Sequence, residues 1–279
     1  DGIRDVERSR GLGDVYKRQS DSQTMFYTGK DEQTLRSDKI FRHSLGESQD
    51  DDILVYEEKD ETFSTFVYPS KSREYIMIGS SSTMASEYRF LSSKTPLEPF
   101  KIIQKRERGL EYSPSHVGDM FYISTNIDES TNFKLVKTPI SSTEKSNWKD
   151  VIPHREDVLI EDTDFFNDFM VIGERSNGLL KIRIKSWDGK EDYYLDLSSQ
   201  FDYDNETYSA SIGYNPNFQT NILRYNFTSL TTPYSVIDYN LITKDEQVQK
   251  QQEVPVSYTH LRANETSLHL VCRLLLEKK

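Results

Sequence analysis

Hydrolysis by a nucleophilic serine needs a Ser, a His to take its proton and a carboxylate to orient the His; in α/β hydrolases the Ser sits on a strained strand–turn–helix elbow, Gly-x-Ser-x-Gly. The 279-residue sequence contains no such pentapeptide. Its nearest stretch, Gly79-Ser80-Ser81-Ser82-Thr83, lacks the second glycine and any helical pattern after it, and reads as a hairpin turn. Away from the chain ends the only histidines are His43, His116 and His154, with no His-x-x-x-His and no Cys pair to hold a metal. No Gly-rich loop opens a helix, so no phosphate cradle is expected. Asp50-Asp51-Asp52 follows Gly46 but lacks the alternating oxygen ligands of a calcium loop, and reads as a solvated loop. No catalytic, cofactor-binding or metal-ligating residue is therefore assigned, and no cofactor is expected.

The remaining charged clusters have weaker claims. Glu57-Glu58-Lys59-Asp60-Glu61 reads as a solvated inter-strand segment, or else as an acidic lip that attracts basic peptides. His154-Arg155-Glu156-Asp157 and Glu161-Asp162 read as an ion-pair set between blades or domains. Paired carboxylates for glycoside chemistry have nothing in the sequence to set their separation. Asn205-Glu206-Thr207 and Asn226-Phe227-Thr228 match the glycosylation pattern by chance, there being no signal peptide in the sequence. The net charge of -11 argues against nucleic acid and anionic membranes as partners. No apolar run reaches the roughly 18–20 residues that span a bilayer.

Whatever these side chains do, short β-type runs must position them. One register comprises Met25-Phe26-Tyr27, Tyr75-Ile76-Met77, Met120-Phe121-Tyr122, Phe169-Met170-Val171 and Leu223-Arg224-Tyr225, at steps of 50, 45, 49 and 54 residues. A second follows at Lys39-Ile40-Phe41, Glu87-Tyr88-Arg89, Asn132-Phe133-Lys134, Leu180-Lys181-Ile182 and Tyr234-Ser235-Val236, and a third starts near Ile53, Lys101, Asp150, Asp192 and Glu246. A fourth run precedes the first in the later copies, at 65–69, 110–113, 160–163 and 211–214; the opening copy lacks it. Ser70-Lys71-Ser72, Pro114-Ser115, Ser176-Asn177-Gly178, Asp188-Gly189 and Asn215-Pro216-Asn217 punctuate the runs as turns. Four short strands per repeat of about 40–50 residues is the signature of β-propeller blades. The expectation is an all-β fold: about five four-stranded blades of a larger propeller, the first blade missing a strand. A β-sandwich with accidental spacing is the competing arrangement.

The two ends differ from this middle. Residues 1–19 carry a charge of +1 and residues 256–279 of +2, so 20–255 carry about -14 of the total -11. The chain does not open on Met, and its one cysteine, Cys272, lies in the second tail with His260 and His269. Both tails resemble translated sequencing-adaptor read-through and are set aside as foreign segments. The second has an alternative reading as an amphipathic helix over 265–278. The domain expectation is thus a propeller fragment over 20–255 between tails 1–19 and 256–279.

Residues 21–254 resemble the oligopeptidase B group of the prolyl oligopeptidase family. The resemblance is carried, in order, by DEQTLRSDKIFRHSLG (31–46), VYEEKDETF (55–63), IGSSSTMASEYR (78–89), VIPHREDVLIED (151–162), GERSNGL (173–179), GYNPNF (213–218), LRYNFTSLTTPYSVIDYN (223–240) and KQQEV (250–254). It implies the later blades of a seven-bladed propeller that covers an α/β-hydrolase domain. The family's Ser, Asp and His lie beyond the crossing back into that domain, so no position here inherits them. The intact protein would cut short peptides after Arg or Lys: Ser attacks, His shuttles the proton, Asp orients His and backbone N–H groups hold the oxyanion. The propeller would be a lid and size filter, and this chain alone would be inactive. Short basic peptides and the hydrolase domain are the implied partners, in the cytoplasm. A stand-alone protein-binding propeller and the propeller of a related dipeptidyl or aminopeptidase are the alternatives.

Overall fold

The computed structural model describes residues 12–16, 23–197 and 207–253. Cys272, Asn205 and the 265–278 helix fall outside these residues.

The repeats fold as five four-stranded antiparallel meanders. The first holds β1 (Leu12–Tyr16), β2 (Thr24–Lys30), β3 (Ser37–Ser44) and β4 (Ile53–Glu57). The second holds β5 (Ser64–Pro69), β6 (Tyr75–Ser81), β7 (Ser86–Ser92) and β8 (Lys101–Gln104). The third holds β9 (Tyr112–Val117), β10 (Met120–Thr125), β11 (Lys134–Pro139) and β12 (Lys149–Ile152). The fourth holds β13 (Leu159–Phe165), β14 (Phe169–Ser176), β15 (Leu179–Ser186) and β16 (Asp192–Tyr194). The fifth holds β17 (Tyr208–Ile212), β18 (Ile222–Ser229), β19 (Ser235–Asn240) and β20 (Glu246–Gln251). The described residues form two compact units that divide between Ile160 and Glu161.

The first sheet departs from expectation. Its opening strand is present: β1 pairs antiparallel with β2 through Leu12↔Gly29, Val15↔Tyr27 and Tyr16↔Phe26, with an irregularity between Leu12 and Val15. The edge of β2 would otherwise present unpaired N–H and C=O groups, which an extended neighbouring segment satisfies. Pro114-Ser115 is also not a turn. Both residues lie within β9, where Pro114 faces Ile123, and the turn falls at Gly118, whose φ is 59°. β9 is the edge of its sheet, the place where a residue without an N–H is tolerated. The third-sheet member of the second register starts later than expected, at Lys134, because Phe133 has φ 60° and belongs to the preceding turn.

Alternation along β6 shows how the core of the first unit is made. Ile76 and Ile78 join Phe26, Ile40, Val67 and Leu91 in one cluster, which therefore spans the first two sheets. Met77, between them, points the other way into Tyr88, Phe90, Ile103, Tyr112, Phe121, Ile123 and Val136, which span the second and third. A middle sheet with a neighbour on each face has no polar side, so its strand reads as a continuous apolar run. In the second unit Val171, Leu180, Ile182 and Ile184 of the fourth sheet meet Ala210, Leu223, Tyr225, Phe227 and Ile237 of the fifth. Asn177 (φ 52°) and Gly178 (φ 81°) make the two-residue turn that sets the β14–β15 register, Ser176↔Leu179 through Phe169↔Ser186.

Gly79-Ser80-Ser81 is neither an elbow nor a turn: it is the end of β6, and the turn begins at Ser82, whose N–H donates to Ala85 O at 2.9 Å. Gly79 sits opposite Phe66 and Tyr88. A Cβ there would lie 2.4 Å from Phe66 Cζ and 2.9 Å from Tyr88 Cε1. Gly79→Ala is therefore expected to lower stability by about 1–3 kcal/mol through overpacking, read as a shift in the urea unfolding midpoint at unchanged slope.

Candidate functional site

The three histidines end up on separate partners. His43 on β3 donates through Nδ1 to Asp52 Oδ1 at 2.6 Å, and Asp52 Oδ2 accepts from the Tyr27 hydroxyl. Burial and the Asp52 carboxylate push the Tyr27 phenol up to about 12. Asp52 is thus not part of a solvated loop; only Asp50 and Asp51 stay exposed, on a single 3-10 turn capped by Ser48. His116 on β9 shares a hydrogen bond of 2.7 Å with the Ser72 hydroxyl in the β5–β6 turn. His154 Nε2 accepts the Asn132 N–H at 3.4 Å.

A His–Asp pair and a Ser–His pair are the two halves of a catalytic triad, but they belong to different histidines. No serine hydroxyl bonds His43 among the described residues. The His116 ring is 3% exposed, and its Nε2 is buried without a hydrogen-bond partner, so no carboxylate orients it. Its faces are filled by aromatic rings, Tyr75 at 4.6 Å and Phe121 at 5.8 Å. Burial lowers the His116 pKa, against the attraction of Glu74 and Asp119. Such a histidine packs and positions a turn; it cannot run acyl transfer, which also needs oxyanion donors beside the nucleophile.

Next to Tyr75 the turns of the second and third sheets leave a groove of about 520 Å³. Tyr75, Phe90 and Ile140 give it apolar walls, and Glu98, Lys101 and Asp119 ring it. It can take a side chain of mixed character. His116 is not among its lining residues.

The acidic segment after β4 behaves against expectation. Glu57, Lys59, Asp60 and Glu61 are exposed, but Glu58 is 4% exposed. Its carboxylate meets Arg106 Nη2 at 2.5 Å and the Tyr56 hydroxyl at 2.7 Å. Arg106 also reaches Glu87 Oε1 at 3.2 Å and lies 4.0 Å over the Phe63 ring, while Arg89 pairs with Glu87 and covers Tyr56. Burial works against ionisation of Glu58, yet Arg106 and Tyr56 outweigh it and hold its pKa below the usual carboxylate range. This is a clamp between the first and second sheets. The run of like charges hides it in the sequence, because its cations lie 31 and 48 residues downstream of Glu58. Of the charged set at 154–162, Glu161 binds Arg175 on the neighbouring β14, with Nη2 to Oε2 at 3.0 Å.

Two outcomes follow from these contacts. Glu58→Ala takes away one of the two carboxylates that face Arg106 and the acceptor of the Tyr56 hydroxyl, while Glu87 stays paired, and should cost about 1–3 kcal/mol in a denaturant titration. His116 is harder to protonate folded than unfolded, so the unfolded state binds more protons in that window. Its contribution is intact above pH about 6.5 and is lost as pH falls from there towards its lower folded value. The fall in Tm between pH 7.5 and pH 5 should therefore be smaller in His116→Gln than in the parent.

The profile described as prolyl oligopeptidase, N-terminal beta-propeller domain, matches residues 12–252. Dipeptidyl aminopeptidase BI of Pseudoxanthomonas mexicana is 39% identical over 235 residues, covering 84% of this chain and 31% of the relative. Protease 2 of Moraxella lacunata is 31% identical over 233 residues, covering 84% and 32%. Oligopeptidase B of Trypanosoma brucei, solved in a closed form with covalently bound antipain, superposes with a TM-score of 0.79 at 26% identity over 88% of this chain and 35% of that one. The chain thus spans about a third of the relatives it matches. Five antiparallel meanders in series and a profile match across nearly all described residues lead to one assignment: the chain belongs to the prolyl oligopeptidase family, a family of serine peptidases, and lies within its N-terminal β-propeller domain.

Proposed function

We propose that this chain is the lid and size filter of a serine oligopeptidase that cuts short peptides after Arg or Lys, and that it carries none of the catalytic triad itself. The observation that carries the reading is the separation of the two half-triads: His43 has its Asp without a Ser, and buried His116 has its Ser without a carboxylate. The nucleophile, base and specificity pocket then lie on an α/β-hydrolase domain that packs on the propeller. A folded protein cannot enter a site enclosed between two domains, whereas a short peptide can. The charge of about -14 over 20–255 favours approach of basic peptides. A cytoplasmic location agrees with the absence of cysteine from that stretch. Among the described residues no helix is long and apolar enough to cross a membrane.

A second reading is favoured by one number. The identity to dipeptidyl aminopeptidase BI, 39%, exceeds the 31% to Protease 2, and so a parent that removes N-terminal dipeptides competes with an endopeptidase. A stand-alone binding propeller is the third. Reading the same locus from a single clone separates these: an in-frame continuation after Val254 with Gly-x-Ser-x-Gly supports a peptidase parent, and a stop codon there supports the module. It also decides whether residues 256–279 are foreign, as we propose for that tail. For the chain itself the expected result is no turnover of an Arg-containing fluorogenic dipeptide and no labelling by a serine-directed covalent probe. Turnover with stoichiometric labelling would overturn the non-catalytic assignment.

A further inference from the structure

We propose that a groove on the second unit, walled by Tyr193 and Tyr194 of β16 and by Tyr239, Asp245 and Glu246 at the β19–β20 turn, is a recognition site for an arginine side chain on a peptide, and that Lys244 is its built-in occupant. The groove has a volume of about 540 Å³, several times that of one ammonium group. Lys244 Nζ lies 4.0 Å from the centre of the Tyr193 ring and 3.3 Å from Glu191 Oε1. A cation over a tyrosine face, backed by a carboxylate, is how proteins seat ammonium and guanidinium groups. The tyrosine is fixed for that purpose: its hydroxyl shares a hydrogen bond of 3.1 Å with Tyr239, and burial together with that contact raises its pKa, so it stays a neutral ring.

Lys244 fills this seat incompletely. It engages one oxygen of Glu191, while Oε2 is buried and has no hydrogen-bond partner. An ammonium is a point donor, whereas a guanidinium presents a planar fork that satisfies both carboxylate oxygens and can lie flat on an aromatic face. Glu191 lies behind Lys244 rather than among the residues that line the groove, and a guanidinium in place of the Lys244 ammonium satisfies both of its oxygens where a second lysine satisfies one. Lys244 is itself held at φ 65°, a left-handed conformation unusual for its type, in a turn closed by its N–H to Asn240 O at 2.8 Å. The carboxylates of Asp245 and Glu246 border the same wall and favour a cationic visitor. This inference concerns binding alone and stands whether or not the peptidase reading does.

The test is calorimetric titration of the full chain with acetyl-Gly-Arg-Gly-amide and with its leucine counterpart. Lys244→Gln empties the seat and should bind the arginine peptide at least ten-fold more tightly than the parent, with no binding of the leucine peptide. Adding Tyr193→Leu or, separately, Glu191→Gln to Lys244→Gln should abolish the gain. Circular dichroism confirms the sheets in each variant, and Glu191→Gln decides the matter where Tyr193→Leu fails to fold. Equal affinity in the parent and Lys244→Gln, no binding by Lys244→Gln, or a gain that survives both second substitutions would overturn the proposal. Because no hydrolysis is measured, failure here leaves the peptidase reading untouched.

Discussion

A four-stranded meander of this composition has two apolar faces and nothing of its own to cover either. Within the first unit the middle sheet can exist only between two others, since Ile76 and Ile78 bury on one side while Met77 buries on the other. That constraint sets the rest. It forces successive sheets face to face, it makes β6 a run of five buried residues, and it leaves only turns and outer edges free for other work. Gly79 belongs to the same logic: Phe66 crosses the strand where the glycine leaves room, so a residue that resembles part of a catalytic elbow is a packing device.

The face-to-face arrangement also has to be specific in angle and register, which apolar contact alone does not provide. Polar groups at the seams do this. Glu58, Arg106, Glu87 and Tyr56 join the first sheet to the second, and Ser72 and His116 join the second to the third. Desolvation makes each buried charge costly when left alone, so each seam is tolerant of approach only in the one geometry that pairs them. Conformational specificity, rather than net stabilisation, is the physical role that fits such pairs.

Periodicity makes the architecture legible in the sequence. The onsets at Met25, Tyr75, Met120, Phe169 and Leu223 each fall at or next to the first residue of β2, β6, β10, β14 and β18, because a strand that buries every second residue, as β10 and β18 do, or nearly every residue, as β6 and β14 do, cannot slip by one position without exposing apolar surface. What escapes are the features decided by contacts distant in sequence. β1 is unreadable because main-chain pairing of an edge strand with β2 leaves no period in the sequence. Pro114 signals a turn locally, and only the position of β9 at an edge makes it strand. Glu58 and its exposed neighbours are indistinguishable in composition; what separates them is Arg106, brought in by the second sheet.

The same distance argument explains why the chemistry looks absent in the sequence and still leaves fragments of itself in the fold. Ser, His and Asp pair readily wherever a buried seam needs hydrogen bonds, and the pairs formed, His43 with Asp52 and Ser72 with His116, reproduce catalytic distances without catalytic arrangement. A triad requires one imidazole to face a nucleophile with one nitrogen and a carboxylate with the other, with room for a substrate at the nucleophile. At His116 aromatic rings occupy that room and no carboxylate meets the second nitrogen. Making a working site there would require opening the seam that holds the second and third sheets together, which would expose the apolar faces that Met77, Phe90, Phe121 and Val136 bury across it.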